Sequence, residues 1–181
     1  EDPVEYRIEN VNQVQVNTKT GLTFAAALRT VLRQDPNIIM VGEIRDAETA
    51  EIATRAALTG RLVFSTLHTS DAPRAVTRLL DMGVEPYLLN SALVGVVSQR
   101  LIRLNCRHCL EEDRPGAAEL SLYRKVCPEE ETPVFYRGRG CIHCNYTGFK
   151  GRIAIHELMP VDETMRDLIQ TSRSGRQIRN Y

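Results

Sequence analysis

A charge imbalance is missing from this chain: 23 Lys and Arg stand against 23 Asp and Glu, a formal net charge of zero over 181 residues. A bulk electrostatic footprint for nucleic acid is therefore excluded, although a local basic patch is not. No apolar run approaches the roughly 18 residues that suggest a membrane-spanning helix. A basic-then-apolar leader is absent, so no signal peptide is visible. The chain also lacks an initiator Met and opens on Glu1-Asp2-Pro3, which reads as a piece of a longer protein. What is present suits a packed core: 43% of residues are apolar and 25% charged. The length allows one domain, or one domain with a small satellite.

Five cysteines are an odd number for a disulfide framework. Four form two pairs, Cys106-Arg-His-Cys109 and Cys141-Ile-His-Cys144. Without a secretory leader, such pairs favour metal over disulfides. Each Cys-x-x-Cys turn offers two thiolates at one corner, and two turns complete the tetrahedral S₄ set of a structural Zn²⁺. The loop between them is longer than in common zinc ribbons, which a metal tolerates because closure entropy grows slowly with loop length. Four thiolates leave no open position, so catalysis at this zinc is not expected. His108 and His143 lie inside the knuckles and are not needed as ligands. Cys127 is left over, and the Pro128 and acid run after it suggest a loop.

Asn37-Ile38-Ile39-Met40-Val41-Gly42-Glu43 places four apolar residues in a row, then a glycine and a carboxylate. Arg61-Leu62-Val63-Phe64-Ser65-Thr66-Leu67-His68 repeats the layout with a histidine last. Such runs predict strands buried on both faces, as in a parallel sheet. Ligands of open α/β folds bind at the carboxyl ends of these strands, so Glu43 and His68 are expected to face one crevice. Between the strands, Asp46 caps a predicted helix over 47–58 and Gly60 suits its end. Before them, Thr23 caps an amphipathic helix with Phe24, Ala27, Leu28, Val31 and Leu32 on one face. Residues 11–17 alternate as an exposed strand or extended arm. After them, Ser70 or Asp71 caps a helix ending near Met82-Gly83, with Pro73 in its first turn. Pro86 opens a long apolar helix predicted to reach Ile102. Residues 151–158 read as a strand, and Asp162 caps a short last helix with Met165, Leu168 and Ile169 inward. The alternation of strand and helix is the βαβ pattern. The fold class expected is α/β, with a mostly parallel sheet flanked by helices and a small inserted tetracysteine zinc module. The expected divisions are 1–103, 104–150 and 151–181.

Glu43 can polarise a water for in-line attack on a terminal phosphate, or hold the water shell of Mg²⁺. On the strand alone, a surface loop acid after an ordinary core strand is the favoured reading, and the neighbouring features shift the weight. His68 ends the adjacent strand beside Thr69 and Ser70, which can bond phosphate or fix the imidazole; a structural histidine is the alternative. Glu1, Asp2 and Glu5 crowd three carboxylates into five residues, and Mg²⁺ or a solvated loop both account for them. Arg29, Arg33 and Arg45 offer positive charge toward phosphate or a neighbouring subunit. A solvated helix face explains the first two as well.

Taken together, these segments resemble a known family. Glu1-Asp2-Pro3-Val4-Glu5-Tyr6 looks like its aspartate box. Leu28-Arg29 through Arg33-Gln34-Asp35-Pro36, with Val41-Gly42-Glu43-Ile44-Arg45-Asp46, looks like its Walker B region. Thr59-Gly60 through Ser65-Thr66-Leu67-His68-Thr69 looks like its histidine box, and the four cysteines match its tetracysteine position. The family is that of the secretion-superfamily ATPases of type II secretion and type IV pilus assembly. The resemblance implies a RecA-like ATPase acting as a homo-hexamer on the cytoplasmic face of the inner membrane. ATP hydrolysis would drive assembly of pilin-like subunits through an inner-membrane platform protein. Glu43 would be the catalytic carboxylate and His68 the γ-phosphate sensor. Glu1, Asp2 and Glu5 would serve the Mg²⁺ and water side, and Arg29, Arg33 and Arg45 the nucleotide or subunit contacts. The implied cofactors are ATP, Mg²⁺ and Zn²⁺, and no nucleic acid is expected as partner. The tetracysteine module points to the assembly or secretion branch, since retraction relatives generally lack it.

One departure is large. No Gly-x-x-x-x-Gly-Lys-Ser/Thr occurs in the 181 residues. The backbone cradle and lysine that hold the β- and γ-phosphates are thus absent from this stretch, and weak or no ATP binding is expected of it alone. Two other readings stand beside the motor: a zinc-stapled interaction module on an α/β scaffold, and a RecA-like DNA motor, against which the zero net charge speaks.

Overall fold

The computed structural model describes residues 1–127, 133–171 and 177–178. The Pro128–acid run and most of the tail after residue 171 lie outside them. The chain divides into two compact units, one made of residues 1–98 with 157–181 and the other of residues 99–156. Among the described residues, no helix is long and apolar enough to cross a membrane.

The first unit is mixed α/β. Helix α1 (Phe24–Leu32) starts where the Thr23 hydroxyl accepts from the Ala26 N–H at 3.1 Å. Strand β1 (Ile38–Val41) follows, then α2 (Ala47–Leu58), β2 (Leu62–Ser65) and α3 (Ala72–Asp81). Asp46 caps α2 by accepting from Thr49 N–H at 2.8 Å, and Asp71 caps α3 by accepting from Arg74 N–H at 3.0 Å. Each such cap satisfies a donor that the helix itself cannot, and contributes about 1 kcal/mol. β1 and β2 run parallel, with Ile38 opposite Leu62 and Val41 opposite Ser65. This is the βαβ unit expected from the alternating pattern.

Burial follows the helical spacing. Ala72, Ala75, Val76 and Leu79 of α3 are buried, as are Ala50, Ala53 and Ala56 of α2. The small residues let α2 lie close to α1 and to the next helix, α4 (Pro86–Ala92). Ile39, Val41, Leu89, Met165 and Ile169 join the same core. Each large apolar side chain buried there is worth about 1.5–3 kcal/mol. The last helix, α6 (Glu163–Thr171), is capped by Asp162, which accepts from Met165 N–H at 2.9 Å, and it packs on α4.

Two expectations are corrected. The helix predicted to run from Pro86 to Ile102 stops at Ala92, and residues Gly95–Asn105 form strand β3. Leu93 already has extended backbone, and the β-branched Val94, Val96 and Val97 around Gly95 favour a strand. β3 pairs with β6 (Phe149–Pro160), a partner too distant in sequence for local periodicity to reveal. β1 is not buried on both faces: Ile39 and Val41 are buried, but Ile38 and Met40 are 63% and 65% exposed. No described element covers that side of the strand.

The second unit holds most of β3 and β6, an antiparallel pair β4 (Leu110–Asp113) with β5 (Phe135–Gly138), and helix α5 (Ala117–Val126). Among its described residues the buried hydrophobic cluster is Cys106, Cys109 and Cys144, with Cys141 packed against them. A lobe with so small an apolar core needs another source of stability.

Candidate functional site

The parallel pair brings two loops side by side. Just past β1 comes Gly42-Glu43, and just past β2 comes Thr66-Leu67-His68. Thr66 laces them: its hydroxyl donates to the Gly42 carbonyl at 2.6 Å, and its carbonyl accepts from Ile44 N–H at 3.0 Å. Glu43 and His68 then meet, with 3.1 Å between Oε2 and Nε2. The Glu43 side chain is only 13% exposed, while that of His68 is 87% exposed. The histidine therefore stands toward solvent, with the carboxylate beneath it.

Arg45 grips the other Glu43 oxygen and also lies 3.6 Å from Asp2. A linear cluster results, His68 to Glu43 to Arg45 to Asp2, in which Arg45 lies between two carboxylates. The Arg45 hydrogen bond holds the Glu43 carboxyl below its ordinary 4.5; partial desolvation opposes this, and the Arg45 charge and His68 add to it. Glu43 in turn pushes the Arg45 guanidinium up. Such a carboxylate stays ionised at neutral pH and can orient a water or a cation-bound water shell. Ser70 donates to Asp71 and accepts from Arg74, and Thr69 donates to the Asp71 carbonyl. Both hydroxyls thus brace the histidine loop.

The remaining expected residues fall at different distances from this cluster. The backbone of Glu1 abuts Gly42: a Cβ there would lie 3.4 Å from the Glu1 Cα. Glu5 is exposed, with no ion pair among the described residues. Arg29 pairs with Glu48 of α2, and Arg33 is exposed at the end of α1. Neither joins the Glu43 cluster. Thr66 lies within the histidine-box stretch, but its lacing role is not among the expected site roles.

In the second unit the sulfurs of Cys106, Cys109, Cys141 and Cys144 all lie within 4.8 Å of one another. Three pairs, Cys106–Cys141, Cys109–Cys144 and Cys141–Cys144, stand at 3.9 Å. A tetrahedral zinc with bonds of about 2.3 Å needs sulfurs about 3.8 Å apart, so the four residues fit the ion. All four are free of disulfides. Backbone N–H groups point at the sulfurs, from Gly140 to Cys109 at 3.3 Å, and from Cys141 and Gly148 to Cys144 at 3.2 and 3.3 Å. Burial pushes the Cys109 thiol up to about 12. Burial also pushes Cys144 up, but its two N–H donors together with the neighbouring Cys141 and Cys109 thiols bring it down to about 6. The His108 and His143 rings stack at 4.2 Å, so the knuckle histidines partner each other. Cys127 is half-buried and stands apart from the S₄ group.

Glycines hold the two knuckles together. A side chain on Gly138 would overlap the Gly148 carbonyl, and one on Gly140 would come within 2.8 Å of the Tyr146 carbonyl. Glycines flanking metal knuckles are a readable sign of such close backbone approach, one that the cysteine spacing by itself does not carry.

The family model described as Type II/IV secretion system protein matches residues 1–181. The chain is 55% identical over 179 residues to the type IV pilus assembly ATPase PilB of Thermus thermophilus, covering 99% of this chain and 20% of that protein. It is 50% identical over 181 residues to the type II secretion system protein E of Pseudomonas aeruginosa, covering 100% of this chain and 36% of that protein. Among solved structures, the pilus retraction motor PilT with bound ADP gives a TM-score of 0.65 at 32% identity, covering 99% of this chain and 42% of that one. This chain is thus well under half the length of the proteins it matches.

Proposed function

The chain belongs to the type II/IV secretion system protein family, and from that membership we propose that it is part of the RecA-like motor domain of an ATPase. The parent protein hydrolyses ATP to drive assembly of pilin-like subunits in type II secretion or type IV pilus biogenesis. The observation that supports this most is the Glu43–His68 pair at adjacent parallel strand ends. Glu43 orients the attacking water toward the terminal phosphate, and its ionised state at neutral pH suits that task. His68, exposed to solvent above Glu43, reads the phosphate and reports its loss to Glu43. Asp2, with Glu1 and Glu5, faces the Mg²⁺ side, where the cation would neutralise phosphate charge. Arg45 screens Glu43 until substrate charge competes for it. Arg29 and Arg33 serve nucleotide or subunit contacts away from the reacting atoms. The phosphate cradle comes from elsewhere in the parent.

Cys106, Cys109, Cys141 and Cys144 hold Zn²⁺, which when bound cross-links the two knuckles. The parent works as a homo-hexamer on the cytoplasmic side of the inner membrane, docked on a platform protein and other secretion or pilus components. The reading is tested by phosphate release from ATP by the full-length parent with and without Mg²⁺. Mg²⁺-dependent release supports it, and absent release contradicts it.

A further inference from the structure

The acidic opening segment has almost no burial of its own. Among residues 2–12 only Val4 is half-buried, and the others are exposed. Hydrophobic packing cannot give such a segment its shape. Yet it carries Asp2 and Glu5, and it sets Asp2 beside Arg45.

The Gln13 side chain closes this loop. Its Nε2 donates to Glu1 Oε1 at 3.0 Å and to the Tyr6 carbonyl at 2.8 Å. Its Oε1 accepts from Ile8 N–H at 2.8 Å. One amide therefore ties three points of the segment together. Glu1 is also fixed from the other side, since its carbonyl accepts from Val16 N–H at 2.8 Å. Val16 is buried, which anchors the loop to the core.

The chemistry demands an amide here. Gln supplies two donors and an acceptor on one planar group. Glu at this position would keep an acceptor for Ile8, lose both donors, and face the Glu1 carboxylate. Asn is one methylene too short to span the same points.

We propose that Gln13 is a positioning residue for the Glu43 site: it orders the acidic loop so that Asp2 engages Arg45 beside Glu43. Its kinetic consequence rests on the ATPase reading above. The experiment uses the full-length parent with Gln13→Ala, Gln13→Glu, Asp2→Ala and the Gln13→Ala/Asp2→Ala double variant. Amide exchange at Ile8 should quicken at least tenfold in Gln13→Ala. Turnover should fall at least tenfold in Gln13→Ala and Gln13→Glu, with KM for ATP changed less than threefold. The double variant should lose no more than the worse single one, because both act through one contact. Unchanged Ile8 exchange, unchanged turnover, or losses that multiply in the double variant each overturn the proposal. A wild-type parent that releases no phosphate would sink the ATPase reading and the kinetic role with it, and Ile8 exchange would then decide the ordering of the loop by itself.

Discussion

Gly138 and Gly148 approach backbone to backbone, so closely that a methyl group on either would overlap the other's carbonyl. The contact sits between the two halves of the tetracysteine group. Gly148 also donates its N–H to Cys144 and accepts from Cys106 N–H, so it touches both knuckles.

Gly138→Ala should therefore spread the knuckles. The expected cost is about 3 kcal/mol or more, at the upper end of single substitutions, because the obstacle is backbone and cannot rotate away. Thermal unfolding and metal content of the purified variant check this. A variant with unchanged melting and a full complement of metal would contradict it.

Metal removal should unfold the second unit and spare the first. Binding at zinc-thiolate sites is worth roughly 10–16 kcal/mol in small peptides, and the lobe has little apolar core to replace it. A strong chelator, or Cys141→Ser, should free the amides of residues 99–156 to exchange while those of α2 and α3 stay protected. Melting unaffected by chelation would remove zinc from the account.

The Glu43 carboxyl is held below its ordinary 4.5, chiefly by Arg45. A carboxylate with a depressed folded pKa contributes stability at pH values above its unfolded pKa, and that contribution is lost only as pH falls through the lower folded value. Glu43 should thus remain ionised throughout pH 5–8, and the turnover of the parent should show no acid limb from it in that range. Arg45→Ala should move the Glu43 titration upward, measurable by carboxyl-carbon NMR. A Glu43 titration above 4.5 in the unsubstituted protein would contradict the ion pair.

Much of this was legible in residue pattern. The caps Thr23, Asp46 and Asp71, the two parallel strands and the S₄ spacing are local signals, and each reappears in the fold. The pairing of Glu43 with His68 followed from placing both at equivalent strand ends. Non-local facts were hidden. β3 reads as a continuation of the α4 helix until its partner β6 is known. The exposed Ile38 and Met40 look like core residues in any window of the sequence. Gln13 belongs to no motif, and Thr66 is an unremarked member of the histidine box; their roles depend on bonds to other segments. Arg29 and Arg33 have the composition of a phosphate clamp but lie outside the Glu43 cluster, where only three-dimensional placement could put them.

The most direct measurement is phosphate release by the full-length parent, wild type against Glu43→Gln, with ATP binding measured on both. Gln keeps the shape and removes the charge that orients water. The account predicts turnover reduced by about a hundredfold or more, with ATP still bound. Equal rates in the two proteins would show that Glu43 is not the catalytic carboxylate, and would leave the His68–Glu43 pair a structural contact.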